Sequence, residues 1–248
     1  MREVSGQRLA VAIAVSAGLG IAAGVSTAYG LPALSPAWGE TDRLAAVIVL
    51  EAYLAIIVGH VVAFGGLEGL QSRLRLAPTS SREFVAAAGA GIAIWAAAAV
   101  LYFGLSWFAW PLAEVATALL WIGADGGRLA EAAPLLFVLA AGRAVVIAPL
   151  AEELLLRGSL FGWLRGRLPA FATILITASA FALAHPMPVL WPGALLFGIG
   201  AAWFRERSGS MTPFILVHAL NNLVLTAISY WVTGWHVPSL LGPAGAEP

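Results

Sequence analysis

The chain predicts an all-α fold, a polytopic transmembrane helix bundle of about 7 to 8 spans, and three observations carry that prediction. Of its 248 residues, 60% are hydrophobic and only 10% charged, too little polar surface for an ordinary soluble globule. Mean hydropathy is +0.90, and the apolar residues gather into runs near the ~20 residues that a helix needs to cross a bilayer. The 13 basic residues are all arginines and lie mostly in the connections between runs. Zero formal net charge in so apolar a chain excludes a nucleic-acid-binding domain. The absence of cysteine excludes a disulfide, a thiolate nucleophile and a cysteine-based metal site.

In chain order, the spans fall near Leu9 to Tyr29, Leu44 to Phe64, Glu83 to Trp107, Glu131 to Leu156, Pro169 to His185, Pro188 to Phe204 and Met211 to Trp231. The first follows Arg2 and Arg8 but is longer than the core of a secretory signal, so a retained helix is expected. The short apolar piece Pro111 to Ile122 reads as interfacial or re-entrant, because an eighth full span there would invert every later connection. Arginines cluster in alternate connections: Arg2 and Arg8; Arg73, Arg75 and Arg82; Arg157, Arg165 and Arg167; Arg205 and Arg207. By the positive-inside rule these connections and the N-terminus are cytoplasmic, and the protein is a multi-pass protein of the cell membrane with the lipid bilayer as its surroundings. Residues 1–236 are expected to form one integral-membrane domain, with the chemistry-bearing motifs in 149–231, and 237–248 a short flexible tail rich in proline and glycine.

Within this apolar chain stands Glu152-Glu153-Leu154-Leu155-Leu156-Arg157. An ionisable side chain at a bilayer centre costs about 2.5 to 3.5 kcal/mol even on the mildest scale, so three in six positions demand a physical reason. Glu153 and Arg157 are at i and i+4, with the acid first, the favourable order for an ion pair. Glu152 is rotated roughly 100° away and cannot share that arginine equally. One carboxylate is thereby neutralised and its neighbour left available as a proton acceptor. A structural charge network between helices is the alternative reading of the hexapeptide.

Two further clusters accompany it. Phe181-Ala182-Leu183-Ala184-His185 closes an apolar helix ahead of Pro186 and Pro188, and His218-Ala219-Leu220-Asn221-Asn222 puts His218 and Asn222 on one helical face. Either histidine taken alone reads more readily as a core residue bonded to a carbonyl. Depth joins them. A hairpin turning at Arg165 to Pro169 sets Glu152 and His185 at one level, roughly 20 to 24 Å from the turn. Entering from Arg205 and Arg207, His218 and Asn222 reach roughly 16 to 22 Å on regular helix geometry. Glu51, His60 and Arg143 are the other intramembrane ionisable groups, and interhelical pairing is their expected role.

The pattern EExxxR, FxxxH, HxxxN, in that order, resembles the CAAX protease and bacteriocin-processing (CPBP) family of intramembrane endopeptidases, relatives of the Ras-converting CAAX endopeptidases. Every motif position is matched, by Glu152, Glu153 and Arg157, by Phe181 and His185, and by His218 and Asn222. The resemblance spans about Glu131 to Trp231; the first half carries no matching motif and says nothing about substrate. It implies hydrolysis of a peptide bond in a membrane-associated protein or peptide, prenylated or leader-bearing. It also implies that Glu152 and His185 activate a water, that His218 and Asn222 stabilise the oxyanion, and that no metal is used. Bottom-up, Glu152 suits the base, His218 and Asn222 are donors on one face, and Glu153, Arg157 and Phe181 read as support of the site. A zinc variant rests on one Glu and two His as a known ligand set, but no HExxH is present. Outside enzymes, a silent scaffold or bacteriocin-immunity factor and a proton-coupled transporter compete; the transporter lacks paired, similarly interrupted halves.

Overall fold

In a computed structural model of the chain, residues 4–34, 41–74, 76, 80–109, 111, 114–115, 138, 141–185 and 187–235 are described. Among them the ordered elements are helical and no strand occurs. The expected piece Pro111 to Ile122 and the tail 237–248 fall largely or wholly outside the described residues. The longer helices among the described residues are, in order, α1 Gly6–Leu34, α2 Thr41–Phe64, α3 Leu67–Leu74, α4 Ser81–Leu105, α5 at 143–165, α6 Ala170–Leu183, α7 Trp191–Ser208 and α8 Thr212–Trp235.

Helices α1 and α2 form an antiparallel hairpin along a seam of small residues. A Cβ on Gly59 would stand 2.8 Å from the Ala12 carbonyl and closer still to the Ser16 hydroxyl, while one on Gly20 would meet Ala52 and Ala55. Small side chains let membrane helices approach until their backbones touch, the main source of attraction where lipid is as apolar as the helix. Thr27 of α1 donates to Glu51 Oε1 of α2, so Glu51 makes the interhelical pairing expected of it. His60 instead turns Nδ1 to its own helix, 2.7 Å from the Ile56 carbonyl.

Gly65 and Gly66, at φ +78° and +97°, turn the chain from α2 into α3 in a region closed to most L-residues. Helix α3 is amphipathic: Leu70 and Leu74 are buried, whereas Glu68, Gln71 and Ser72 are exposed. Its buried face packs with Val4, Phe64, Leu154, Met211 and Trp163. The start of the chain, the α2–α4 connection, the α5–α6 turn and the α7–α8 turn therefore meet at one end of the bundle. There Arg8 lies over Phe64, and Arg165 Nε reaches both carboxylate oxygens of Glu206 at 3.1 Å. Arg8, Arg165 and Arg205 lie toward this end, whereas Arg157, expected with Arg165 and Arg167 in a basic connection, is instead buried in the middle of α5.

Of the seven expected spans, α1, α2 and α4 contain stretches long and apolar enough to cross a membrane: Gly6–Val25, Val47–Phe64 and Ser81–Leu105. Helix α6 and the apolar part of α8 are shorter, and α7 ends on Arg205, Glu206 and Arg207. Residues such as Ile21, Ile92 and Val100 present apolar side chains outward, while α5 is enclosed by its neighbours and need not be lipid-compatible all round.

Helix α5 is irregular where the sequence says it must be. Pro149 has no N–H and its ring conflicts with the carbonyl four residues earlier. Directly before it, at Arg143–Ile147, the helix widens so that the Ala148 N–H bonds to the Arg143 carbonyl, five residues back. A second wide stretch, Leu154–Leu160, ends with the Phe161 N–H on the Leu156 carbonyl. Such π-turns put more residues into each turn and shorten the climb per residue. The regular-helix depth for Glu152 is accordingly an upper figure, and Leu154 shares a cluster with residues at the basic end. Helices α6 and α7 touch at Gly198, where a Cβ would lie 2.9 Å from the Ala178 Cα and 3.2 Å from its carbonyl oxygen. We predict that Gly198→Val destabilises the protein by about 1 to 3 kcal/mol through overpacking, read as a lower melting temperature in detergent. Gly89→Ala, which fills open space, leaves it unchanged.

Candidate active site

The motif residues are built onto three helices and one helix end. Glu152, Glu153 and Arg157 sit in the middle of α5; Phe181 is in the last turn of α6, with His185 just past its Ala184 cap; His218 and Asn222 are one turn apart on α8. An aromatic layer of Phe181, Phe197, Phe204 and Phe214, with Ala87, Leu156, Ala201 and Val217, forms the floor beneath them.

Arg157 and Glu153 are almost fully buried and paired, Nη1 to Oε1 at 3.1 Å, the ion pair that their spacing predicts. Burial of this kind favours partners for each charged group, and of the guanidinium nitrogens Nε alone lacks one among the described residues. The guanidinium also reaches the Gly198 carbonyl at 3.4 Å and lies 4.6 Å above the Phe181 ring. Glu153 Oε1 is shared, since His218 Nδ1 stands 3.1 Å from the same oxygen. A carboxylate accepts, so His218 carries its proton on Nδ1 and turns Nε2 the other way. Nε2 faces Glu152 Oε2 at 3.7 Å.

Glu152 is the accessible member of the pair: its side chain is 22% exposed against 2% for Glu153. Its second oxygen, Oε1, accepts from the Tyr53 hydroxyl of α2 at 2.7 Å. This partner was absent from the candidate residues. A tyrosine belongs by preference at the headgroup level, and Tyr53, nine residues into a span expected from Leu44 to Phe64, violates that preference. The violation was the available signal.

His185 joins the cluster through Phe181, whose ring meets His185 edge-on at 4.9 Å and His218 at 5.6 Å between centroids. His185 Nδ1 lies 2.9 Å from the Phe181 carbonyl, which can only accept, so Nδ1 is the protonated nitrogen and Nε2 is left as an acceptor. The His185 carbonyl takes the Trp191 indole N–H at 2.9 Å. Tyr102 fixes the following turn by donating to the Val189 carbonyl at 2.8 Å and accepting from the Gly193 N–H at 3.1 Å. The histidine within ion-pair reach of Glu152 is His218 rather than His185.

Asn222 is oriented from both sides. One Nδ2 hydrogen goes to the Ala144 carbonyl at 2.8 Å, in the first wide stretch of α5, and Oδ1 accepts from Asn221 at 2.9 Å. Asn221 in turn accepts from Trp95 of α4 at 2.8 Å. The Asn222 amide nitrogen carries a second hydrogen beyond the one given to Ala144. As to metal, no three His, Asp or Glu side chains among the described residues stand together as a ligand set.

Residues 133–224 match a family model, that of the type II CAAX prenyl endopeptidases, Rce1-like, which belong to the CPBP family. The matched segment contains the positions of all three motifs, Glu152, Glu153 and Arg157, Phe181 and His185, and His218 and Asn222. The matched family is one of CAAX-type intramembrane proteases, membrane proteins that act on membrane-associated protein substrates. No curated protein and no solved structure matches the chain.

Breaking one side of the buried pair leaves the other charge without an answer, a loss of about 3 to 5 kcal/mol. Arg157→Leu and Glu153→Gln are therefore expected to lower the folded yield and melting temperature in detergent, with Glu152→Gln close to wild type on both.

Proposed function

We propose that the protein is an intramembrane endopeptidase of the cell membrane, a multi-pass helical enzyme whose basic end faces the cytoplasm. Its substrate is a membrane-associated protein or peptide, with a prenylated C-terminal Cys-a-a-X segment as the class that the matched family favours. One observation carries the reading: of two adjacent carboxylates, Glu153 is buried and answered by Arg157 and His218, while Glu152 remains reachable and is not the partner of Arg157.

In this reaction Glu152 takes a proton from a water as the water oxygen attacks the scissile carbonyl carbon. His185 Nε2, left as an acceptor by the bond at Nδ1, receives the water's other hydrogen and fixes its direction. The carbonyl oxygen becomes an oxyanion as the tetrahedral carbon forms. It is met by the second Nδ2 hydrogen of Asn222 and by His218 Nε2–H, which requires His218 to carry both protons while bonded through Nδ1 to Glu153. The C–N bond then breaks, and the proton held on Glu152 passes to the departing amine. The apolar surroundings strengthen each of these contacts relative to water. No step is routed through a metal, and Glu153, Arg157 and Phe181 hold the acting groups in place.

Two outcomes are expected with a farnesylated peptide ending in Cys-a-a-X as probe. Glu152→Gln lowers turnover per folded molecule by about 10² to 10⁴-fold; unchanged turnover would take the base role from Glu152, and no turnover by wild type would leave a silent scaffold. Exhaustive chelation leaves wild-type turnover intact; loss that zinc restores would move the mechanism to a metalloprotease.

A further inference from the structure

The Tyr53 hydroxyl lies outside the three motifs and outside the matched segment, yet it makes the one direct hydrogen bond that the described structure gives to the Glu152 carboxylate. Its helix brings it there from 99 positions away in sequence. A terminal carboxylate torsion is broad and weakly restrained by itself. An O–H to carboxylate contact of 2.7 Å is in the charge-assisted class, stronger than a neutral bond and sharply directional. With Oε1 held by Tyr53, Oε2 is the oxygen turned toward His218 Nε2.

We propose that Tyr53 is a positioning residue for the endopeptidase reaction, pinning Oε1 of Glu152 so that Oε2 is the oxygen presented to the attacking water. The proposal rests on Glu152 being the base. The phenol serves both halves of the cycle, because it donates to the carboxylate before proton transfer and to the carbonyl oxygen of the carboxylic acid after it. Bond making and breaking are unchanged: the proton taken from water still resides on Glu152 and still leaves with the amine. The α1–α2 hairpin thereby acquires a function in chemistry, since α2 carries the group that orients the base on α5.

The test compares wild type, Tyr53→Phe, Tyr53→Gln and Glu152→Gln on a farnesylated Cys-a-a-X peptide, with turnover expressed per folded molecule. Tyr53→Phe is expected to lower kcat about tenfold with KM within about twofold and an unchanged melting temperature, and Tyr53→Gln, which restores a donor, to recover part of kcat. In parallel, the infrared carboxylate band of Glu152, isolated as wild type minus Glu152→Gln, is expected to shift in the Tyr53→Phe background, a readout that needs no substrate. An unmoved band with wild-type kcat overturns the proposal and leaves the enzyme reading standing. A raised KM at constant kcat overturns it too, by making Tyr53 a substrate contact. Loss of folded protein in Tyr53→Phe without recovery in Tyr53→Gln assigns the residue to packing. Full activity of Glu152→Gln removes Glu152 as the base, and the positioning role with it, while no turnover by wild type removes the endopeptidase reading.

Discussion

An ionised side chain left alone in an apolar interior is penalised by several kcal/mol, and Glu153 and Arg157 satisfy that constraint only by recruiting their surroundings. Arg157 pairs with Glu153, donates to the Gly198 carbonyl of α7 and rests over Phe181 of α6, while Glu153 accepts from His218 of α8. Four helices are thus registered to one another by a single buried pair. The approach of α6 to α7 at Gly198 and the aromatic floor of Phe181, Phe197 and Phe214 are arranged around it.

The same constraint distributes roles between neighbours. Two adjacent carboxylates on one helix cannot both be answered by one guanidinium, so the one turned inward becomes structural and the other remains open. His218 transmits the division: one ring nitrogen is committed to the buried carboxylate, and the other is thereby aimed at the open one. In the proposed reaction, orientation therefore comes from the charge network that holds the bundle together, and the acting groups need no separate scaffold.

Helix α5 shows how local irregularity serves this arrangement. Pro149 forces the preceding turn wide, and the carbonyl of Ala144 in that turn is the one that takes the Asn222 amide. The second wide stretch begins directly after Glu153 and leaves the Arg157 carbonyl to be met by Arg205 Nε at 3.4 Å. Wide turns free backbone acceptors that a regular helix would consume, and in an apolar setting each must find another donor. Here the donors come from α7 and α8, which ties the irregular helix to its neighbours at two levels.

Much of this was legible in the chain itself. Composition excluded a soluble domain, and the spacing of Glu153 and Arg157 foretold their pair, because these follow from helix geometry and the cost of burying charge. The motif set led to the family that residues 133–224 match. Other features could not be read this way. Tyr53 meets Glu152 across 99 positions, His218 bridges both glutamates, and Asn222 rests on the Ala144 carbonyl. His60 bonds within its own helix although an interhelical partner was expected. Periodicity tells which residues share a face of one helix, but not which face of another helix lies opposite or at what height. The sequence by itself determined the residue types, their local spacing and the need to neutralise buried charge; tertiary packing, through the small-residue contacts and wide turns that set helix separation and register, decided which groups answer which.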